Sequence, residues 1–456
     1  MKLQAGQIAA YTNGYLLRGD PDAILTGIST DSRTISQGDL FIALKGESFD
    51  GHAFVEMAVK KGAAGVVVME EDRRFSEVVI LVDDTLAALG DIAARLRDQH
   101  TPAIVGVTGS TGKTTVKEFC AAILSLQGPC LKTRQNYNNL IGVPLCLFEL
   151  NDHHEFAVIE MGTNRFGEID RLSAITRPTV SVLTNINPVH LNGLRSISGI
   201  IKEKQSIFKN TRTGGTAVID PHQEHMGRVV IPKDLNVITY STSKKADITL
   251  KEVRHQGLDG TDILMDLAGK TISAHVPLPG MHNVSNALAA AACATALNIE
   301  QEKIAQGITD AKFPGMRSEI IISDKISIIN DCYNANPASM KAALKVLVSS
   351  PHLYKAAVLG DMLELGTDSH YWHEQLGTWV AQTGIHRLIV TGDMAHVVSN
   401  AAISAGMDAS AVHIAAGMDD IFWSLSDIID KDAIVLVKAS RALHLDHVVN
   451  HLKAVA

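Results

Sequence analysis

The 456-residue chain has a formal net charge of −8, with 41 Lys and Arg interleaved among 49 Asp and Glu, and 46% of its residues are hydrophobic. That length is too great for one ordinary core and implies two to three domains, while an acidic balance without a basic block argues against nucleic-acid binding by bulk electrostatics. No run of about 18 apolar residues is present, so membrane insertion is not expected.

The N-terminal "MKLQAGQIAAYTNG" lacks the apolar core of a signal peptide. The five cysteines, Cys120, Cys130, Cys146, Cys293 and Cys332, are isolated and contain no CxxC pair. A cytoplasmic protein without disulfides or a zinc site is therefore expected.

Residues 1–84 read as a small α/β unit. "GDLFIAL" (Gly38–Leu44) and "AAGVVVM" (Ala63–Met69) predict strands, and "AFVEMAVKKG" between them has helical spacing and ends on Gly62 as a C-cap. "TLAALGDIAARLRDQH" (Thr85–His100) predicts an amphipathic helix that Thr101–Pro102 terminates. In the second unit, residues 85–312, apolar runs at Ala103–Val107, Phe156–Glu160 and Thr179–Asn185 predict buried parallel strands with helices between them. Asp247–Val276 alternates apolar and polar residues and predicts a β-rich patch, followed by an Ala-rich helix from about His282 to Leu297. Pro-Gly in "KFPGMRSE" (Lys312–Glu319) marks the next junction. Residues 313–456 return to α/β alternation, with strands at Ile326–Asn330, Ala356–Leu359, Leu388–Val390 and Ile434–Val437. The expected fold class is α/β in three domains: a small N-terminal α/β domain, a central P-loop ATPase domain with a parallel sheet, and a C-terminal Rossmann-like domain.

"VGVTGSTGKTTVKEF" (Val105–Phe119) joins a strand to a helix through a Gly-rich turn. Backbone amides converging at a helix start, with the helix dipole behind them, favour a phosphate. Gly109 and Gly112 permit the turn, Lys113 would reach the β- and γ-phosphates, and the Thr114 hydroxyl would ligate Mg²⁺. The pattern departs from the standard P-loop because Val107 stands where the first Gly belongs. Glu160 ends a predicted strand beside this loop, a position suited to Mg²⁺.

"TGSTGKTT" resembles the ATP loop of the Mur ligases, which make peptidoglycan precursors and are relatives of folylpolyglutamate synthase. The resemblance runs over essentially the full length. It is carried by "STDSRTISQGDLFIALKGESFDGHAFVEMAVKKGAAGVVV" (Ser29–Val68), "NYNNLIGVPL" (Asn136–Leu145), "GMHNVSNALAA", "DCYNANPASM" (Asp331–Met340), "LGDMLELG" (Leu359–Gly366) and "VLVKASRALHLDHVV" (Val435–Val449). "YNANP" and "GDMLELG" are most similar to the branch of the family that adds a D-alanyl-D-alanine dipeptide. The acid-recognising "DNPR" of the diaminopimelate-adding branch is missing, since "NANP" (Asn334–Pro337) lacks the Arg.

The resemblance implies ATP-dependent joining of D-alanyl-D-alanine to UDP-N-acetylmuramoyl-tripeptide through an acyl phosphate. ATP and two Mg²⁺ ions would be the cofactors, and a monomer is expected. Residues 1–84 would bind the UDP-sugar-peptide, 85–312 would bind ATP, and 313–456 would bind the dipeptide and close on ATP. Ser110, Thr111 and Thr115 join the ATP loop. Glu160 and His190 resemble metal positions, and Lys204, four residues before Phe208, resembles a lysine that carries a carbamate; Lys202 is its neighbour and competitor.

The position matching Asn283 lies against the adenine in the family; read locally, Asn283 is also a suitable N-cap. Arg317 and Asp331 resemble third-domain residues that reach ATP, and Tyr333 could stack on the base or pack. Ser32, Arg33 and Lys45 would meet the nucleotide-sugar. Asn136, Asn138 and Asn139 would orient the peptidyl carboxylate, and Asn334, with Arg441 near Lys438 and Ser440, would bind substrate. Ala439 stands where the family usually has Gly. His370 and His373 lie three apart on a predicted helix, but no third ligand at a telling distance supports a metal site there. Two alternatives stay open: another amide ligase of the group, adding diaminopimelate or acting on folate, and a non-catalytic nucleotide-gated binding protein.

Overall fold

The structure, a computed structural model, describes residues 2–46, 49–70, 78–323, 325–429 and 432–455. Three main sheets follow one another along the chain. The first holds β1 (Tyr15–Arg18), β2 (Gly27–Ser29), β3 (Asp39–Ile42), β4 (Gly65–Val68) and β5 (Val78–Leu81) in the order β1-β5-β4-β3-β2. Only the β1–β5 pair is antiparallel. The helix expected after Gly38–Leu44 forms as α1 (Val55–Lys60). Gly62 follows it at φ +111°, as a C-terminal stop requires. α2 (Thr85–Asp98) is N-capped by Asp84, whose carboxylate accepts from the amides of Leu86 and Ala87. Its Leu89, Ile92 and Leu96 pack on the first sheet, and Ala93 packs on the second, so α2 bridges the two cores.

The second sheet is built from β6 (Ala103–Thr108), β7 (Cys130–Lys132), β8 (Phe156–Glu160), β9 (Val180–Leu183), β10 (Thr216–Ile219), β11 (Asn236–Ser241), β12 (Ile248–His255), β13 (Thr261–Leu267) and β14 (Lys270–Val276). Their order is β14-β13-β12-β11-β10-β9-β6-β8-β7, parallel from β7 through β12, with β13 and β14 antiparallel. The β-rich patch read at Asp247–Val276 is this antiparallel end. Strands buried on both faces explain the near-continuous apolar runs. Along β6 and β8, Val105, Val107 and Val158 join one core, while Ile104, Ala157 and Ile159 join the core on the opposite face. The first of these cores contains α3 (Lys113–Ser125) and α4 (Met281–Ala296). Ala287 and Ala289–Ala292 in α4 are fully buried, because a helix enclosed on several sides has room only for small side chains there.

The third sheet comprises β15 (Glu319–Ile321), β16 (Ile326–Asn330), β17 (Tyr354–Leu359), β18 (Arg387–Val390), β19 (Val412–Ile414) and β20 (Ala433–Lys438), in the order β15-β16-β20-β17-β18-β19. Only β15 is antiparallel. After β16 the chain enters α5 (Pro337–Ser349), with Asn336 as N-cap and Pro337 at the first turn. The fold class read from the sequence, three-part α/β, is the one observed. The local reading passes over β10 and β11, which complete the parallel run.

Candidate active site

A cavity of about 710 Å³ lies between the second and third sheets. On the second sheet's side it is bounded by the loop after β6 and by the ends of β8 and β9, where ligands of open α/β sheets characteristically bind. Lys113, Thr114, Glu160, His190 and Asn283 line it from that side, and Arg317, Asp331, Tyr333, Asn334 and Lys438 line it from the other.

The Gly-rich loop is held from behind. A Cβ on Gly109 would sit 1.8 Å from Thr184 Oγ1, and one on Gly112, at φ +79°, would sit 2.4 Å from Asn286 Oδ1. Thr184 Oγ1 donates to the Thr111 carbonyl at 2.6 Å, and the Thr111 amide donates to Asn185 Oδ1 at 2.9 Å. Ser110 Oγ donates to the Asn187 carbonyl at 3.0 Å and accepts from its amide at 2.8 Å. The segment Thr184–Asn187 is thus a clamp on the loop. Its signal in the sequence was only the Asn-rich "TNIN" at a strand end. Gly112→Ala is expected to cost about 1–3 kcal/mol through the left-handed backbone alone. It should also abolish nucleotide binding, because Asn286 must move; thermal melting and an ADP titration check both effects.

Lys113 is partly buried, and its Nζ donates to the carbonyls of Gly109 at 3.0 Å and Ser110 at 3.5 Å. Burial lowers its pKa, with Arg317 reinforcing the shift and Glu160 opposing it. Thr115 faces the cavity one residue beyond Thr114. Glu160 is 1% exposed. Its carboxylate accepts from Thr114 Oγ1 at 2.9 Å and from Asn138 Nδ2 at 2.8 Å, both neutral donors. Asn136 and Asn139 also line the cavity, while the Asn139 carboxamide oxygen is engaged by the amides of Ile141 and Gly142.

Lys204 ends the helix Ile197–Lys204, whose N-cap is Ser196. It is 0% exposed, and its Nζ has no hydrogen-bond partner among the described residues. The neighbouring Glu203 carboxylate is committed elsewhere, to the amides of Gly167 and Ile169 at 2.7 Å each. Burial pushes the Lys204 pKa well below the usual lysine value, Lys113 reinforces the shift, and Glu203 opposes it. Lys202, by contrast, is exposed. His190 pairs through Nδ1 with Glu364 of the third unit. Burial lowers the His190 pKa against the pull of Glu364.

Across the cavity, Lys438 Nζ donates to Asp331 Oδ2 at 2.6 Å and to the Asn334 carbonyl at 2.9 Å. Asp331 Oδ1 accepts from the Ser318 amide at 3.0 Å. The Arg317 guanidinium stands 3.8 Å from the centre of the Tyr333 ring, so Tyr333 carries a cation–π contact. His282, which the sequence reading did not single out, is held down to about 4 by burial, with Asp331 opposing and Lys438 reinforcing the shift.

Asn283 does not cap its helix. Gly280 is the N-cap, and Asn283, 2% exposed, donates from Nδ2 to the Pro279 carbonyl at 2.9 Å. The helix starts earlier than its polar residues suggest because the Pro279–Gly280 turn sets its entry.

The remaining candidates lie outside this cavity. Ser32 Oγ contacts Met57 Sδ at 3.6 Å, and the Arg33 guanidinium binds Asp31 at 2.7 Å, holding that carboxyl down at about 2. Lys45 is 3.6 Å from Asp50. Arg441 turns onto Asp446 at 2.8 Å. His373 tethers backbone, accepting from the Met362 amide at 2.9 Å with Nε2. Among the described residues no group of three or more His, Cys, Asp and Glu side chains could hold a metal ion, and no helix is long and apolar enough to cross a membrane.

Three family models match the chain: "Mur ligase family, catalytic domain" over 24–97, "Mur ligase middle domain" over 107–294, and "Mur ligase, glutamate ligase domain" over 316–441. The UDP-N-acetylmuramoyl-tripeptide–D-alanyl-D-alanine ligase of Bacillus subtilis is 36% identical over 436 residues, covering 94% of this chain and 93% of that protein. Crystal structure I of MurF from Acinetobacter baumannii is 31% identical and superposes with a TM-score of 0.93 over 99% of both chains. MurF ligase from Thermotoga maritima in complex with ADP is 25% identical, with a TM-score of 0.83 over 93% of this chain and 96% of that one.

Proposed function

The chain belongs to the Mur ligase family, and we propose on that premise that the cavity between its second and third sheets is where ATP meets the peptide acid. The protein is an ATP-dependent ligase that joins D-alanyl-D-alanine to UDP-N-acetylmuramoyl-tripeptide, releasing ADP and phosphate, in the synthesis of peptidoglycan precursors. The observation that carries the site assignment is the Thr114–Glu160 contact at the mouth of the Gly-rich loop, facing Arg317 and Asp331 across the cavity.

A carboxylate is a poor electrophile because its charge repels an attacking amine. In the proposed reaction a peptidyl carboxylate oxygen attacks the γ-phosphorus and ADP leaves. The dipeptide amine then attacks the acyl carbon, loses a proton, and expels phosphate. Both steps bring anions together, so the chain must supply cations and alignment. Lys113 rests on two loop carbonyls and lines the cavity, so it is proposed to meet the terminal phosphate. Arg317, held over the Tyr333 ring, lines the same space and is proposed to meet phosphate oxygens. Asp331, fixed by Lys438 and the Ser318 amide, is proposed for ribose hydroxyls, and Asn283 for adenine.

The donors fit Mg²⁺: Thr114 and Glu160, already in contact, and His190, which lines the same cavity, would hold it. Bound there, Mg²⁺ supplies neutralisation of the phosphoryl and carboxylate charges. Lys204 fits a carbamate. A buried, unpaired ammonium costs several kcal/mol, whereas the neutral amine that burial favours can add CO₂, lose a proton and become an anion beside Lys113.

Ser32, Arg33 and Lys45 are proposed for the nucleotide-sugar, and Asn138, Asn139, Asn334 and Arg441 for the two peptides. A substrate panel tests the whole reading. Phosphate release is expected only when UDP-N-acetylmuramoyl-tripeptide and D-alanyl-D-alanine are both present. Release with glutamate-extended folate or with free diaminopimelate as the amine would overturn it.

A further inference from the structure

We infer that Glu364 is a positioning residue for His190, so that docking of the third unit onto the second completes the cation-binding face. The inference rests on the reading of His190 as a cation ligand given above.

Glu364 lies in the turn after β17 of the third unit, 174 residues from His190 in the chain and in direct contact with it. Its carboxylate meets His190 Nδ1, and its carbonyl accepts from the Asn192 amide at 3.4 Å. Both residues hold left-handed backbone, φ +65° at Glu364 and φ +51° at His190. Non-Gly residues in that region cost energy unless their surroundings fix them.

The turn that presents Glu364 is anchored in its own unit. Asp361 accepts from the amides of Asp393 at 2.8 Å and Met394 at 3.1 Å. The Met362 amide donates to His373 Nε2 at 2.9 Å, and the Leu363 amide donates to Ser440 Oγ at 2.9 Å. Three successive residues before Glu364 are therefore pinned, and the carboxylate projects from a rigid mount. This accounts for much of "GDMLELG" and for His373 without a metal site.

An ionised carboxylate only accepts hydrogen bonds, so His190 Nδ1 must carry the proton. That fixes the tautomer whose Nε2 lone pair is available to a cation, and it fixes the ring plane on the cavity wall. Carboxylate–imidazole–cation relays work in this way, and loss of the outer carboxylate typically weakens metal binding by about 10–100-fold. Here the outer carboxylate comes from another unit, so it is present only when the two units are together.

The test measures Mn²⁺ dissociation constants by electron paramagnetic resonance on the full chain with ADP. Glu364→Ala is expected to weaken Mn²⁺ binding by about 10–100-fold. Glu364→Gln, whose amide oxygen still accepts from Nδ1, should restore most of it. In a His190→Ala background Glu364→Ala should add less than about twofold, because it acts through the imidazole. A mere latch between units would weaken binding equally in both backgrounds, and that result overturns the inference. So does a Glu364→Ala protein that binds Mn²⁺ as the parent does while His190→Ala weakens it. If His190→Ala itself has no effect, the assignment of His190 fails and this inference with it. Should Glu364→Ala not fold, Glu364→Asn, which tolerates left-handed backbone and is one methylene too short, replaces it.

Discussion

Replacing Lys113 with Ala should lower turnover by about three orders of magnitude or more, with the fold intact. The side chain is the one cation in the Gly-rich loop, and in the proposed reaction it meets the terminal phosphate. Among the described residues its Nζ bonds to the carbonyls of Gly109 and Ser110. Losing them should cost about 1 kcal/mol each at most, and burial already disfavours the charge. Melting temperature should therefore move little while substrate-dependent ADP release disappears. Lys113→Arg is expected to fail as well, because a planar guanidinium does not reproduce the compact point charge of an ammonium. A Lys113→Ala protein that still releases ADP at the parent rate would remove this residue from the reaction.

The second large effect is expected at Lys204. Lys204→Met keeps the apolar stem and discards the orphaned amine, so stability should hold or rise. Activity should nevertheless fall by about 10²–10³-fold, because the proposed carbamate cannot form. Lys202→Met, on the exposed side of the same turn, should change neither. Carbon-13 NMR in labelled bicarbonate supplies a direct readout. A carbamate resonance is expected in the parent and in Lys202→Met, and its absence from Lys204→Met completes the assignment. If the parent shows no such resonance under turnover conditions, the amine works in its neutral form or not at all.

Much of the chemistry was legible because it is local. Phe156–Glu160 and Ile326–Asn330 were read with their observed limits, since strands buried on both faces are continuous apolar runs whatever surrounds them. The loop from Gly109 to Thr114 was equally readable: its glycines, its lysine and its hydroxyl must occupy fixed offsets from a helix start. Helix termini were less so. Asn283 has the chemistry of a cap, but the Pro279–Gly280 turn starts the helix before it.

The sequence by itself determined the α/β class, the Gly-rich turn at a helix start and the strand-end carboxylate Glu160, because each follows from the periodicity and turn chemistry of a short segment. Only the tertiary structure decided which of Lys202 and Lys204 faces inward, since helical spacing separates two residues onto different faces without saying which face is buried. It alone brought Thr184–Asn187 onto the loop, turned Arg441 onto Asp446, and set Glu364 against His190. Those contacts join segments far apart in the chain, and no local pattern encodes a partner that only the packing of separate sheets brings near.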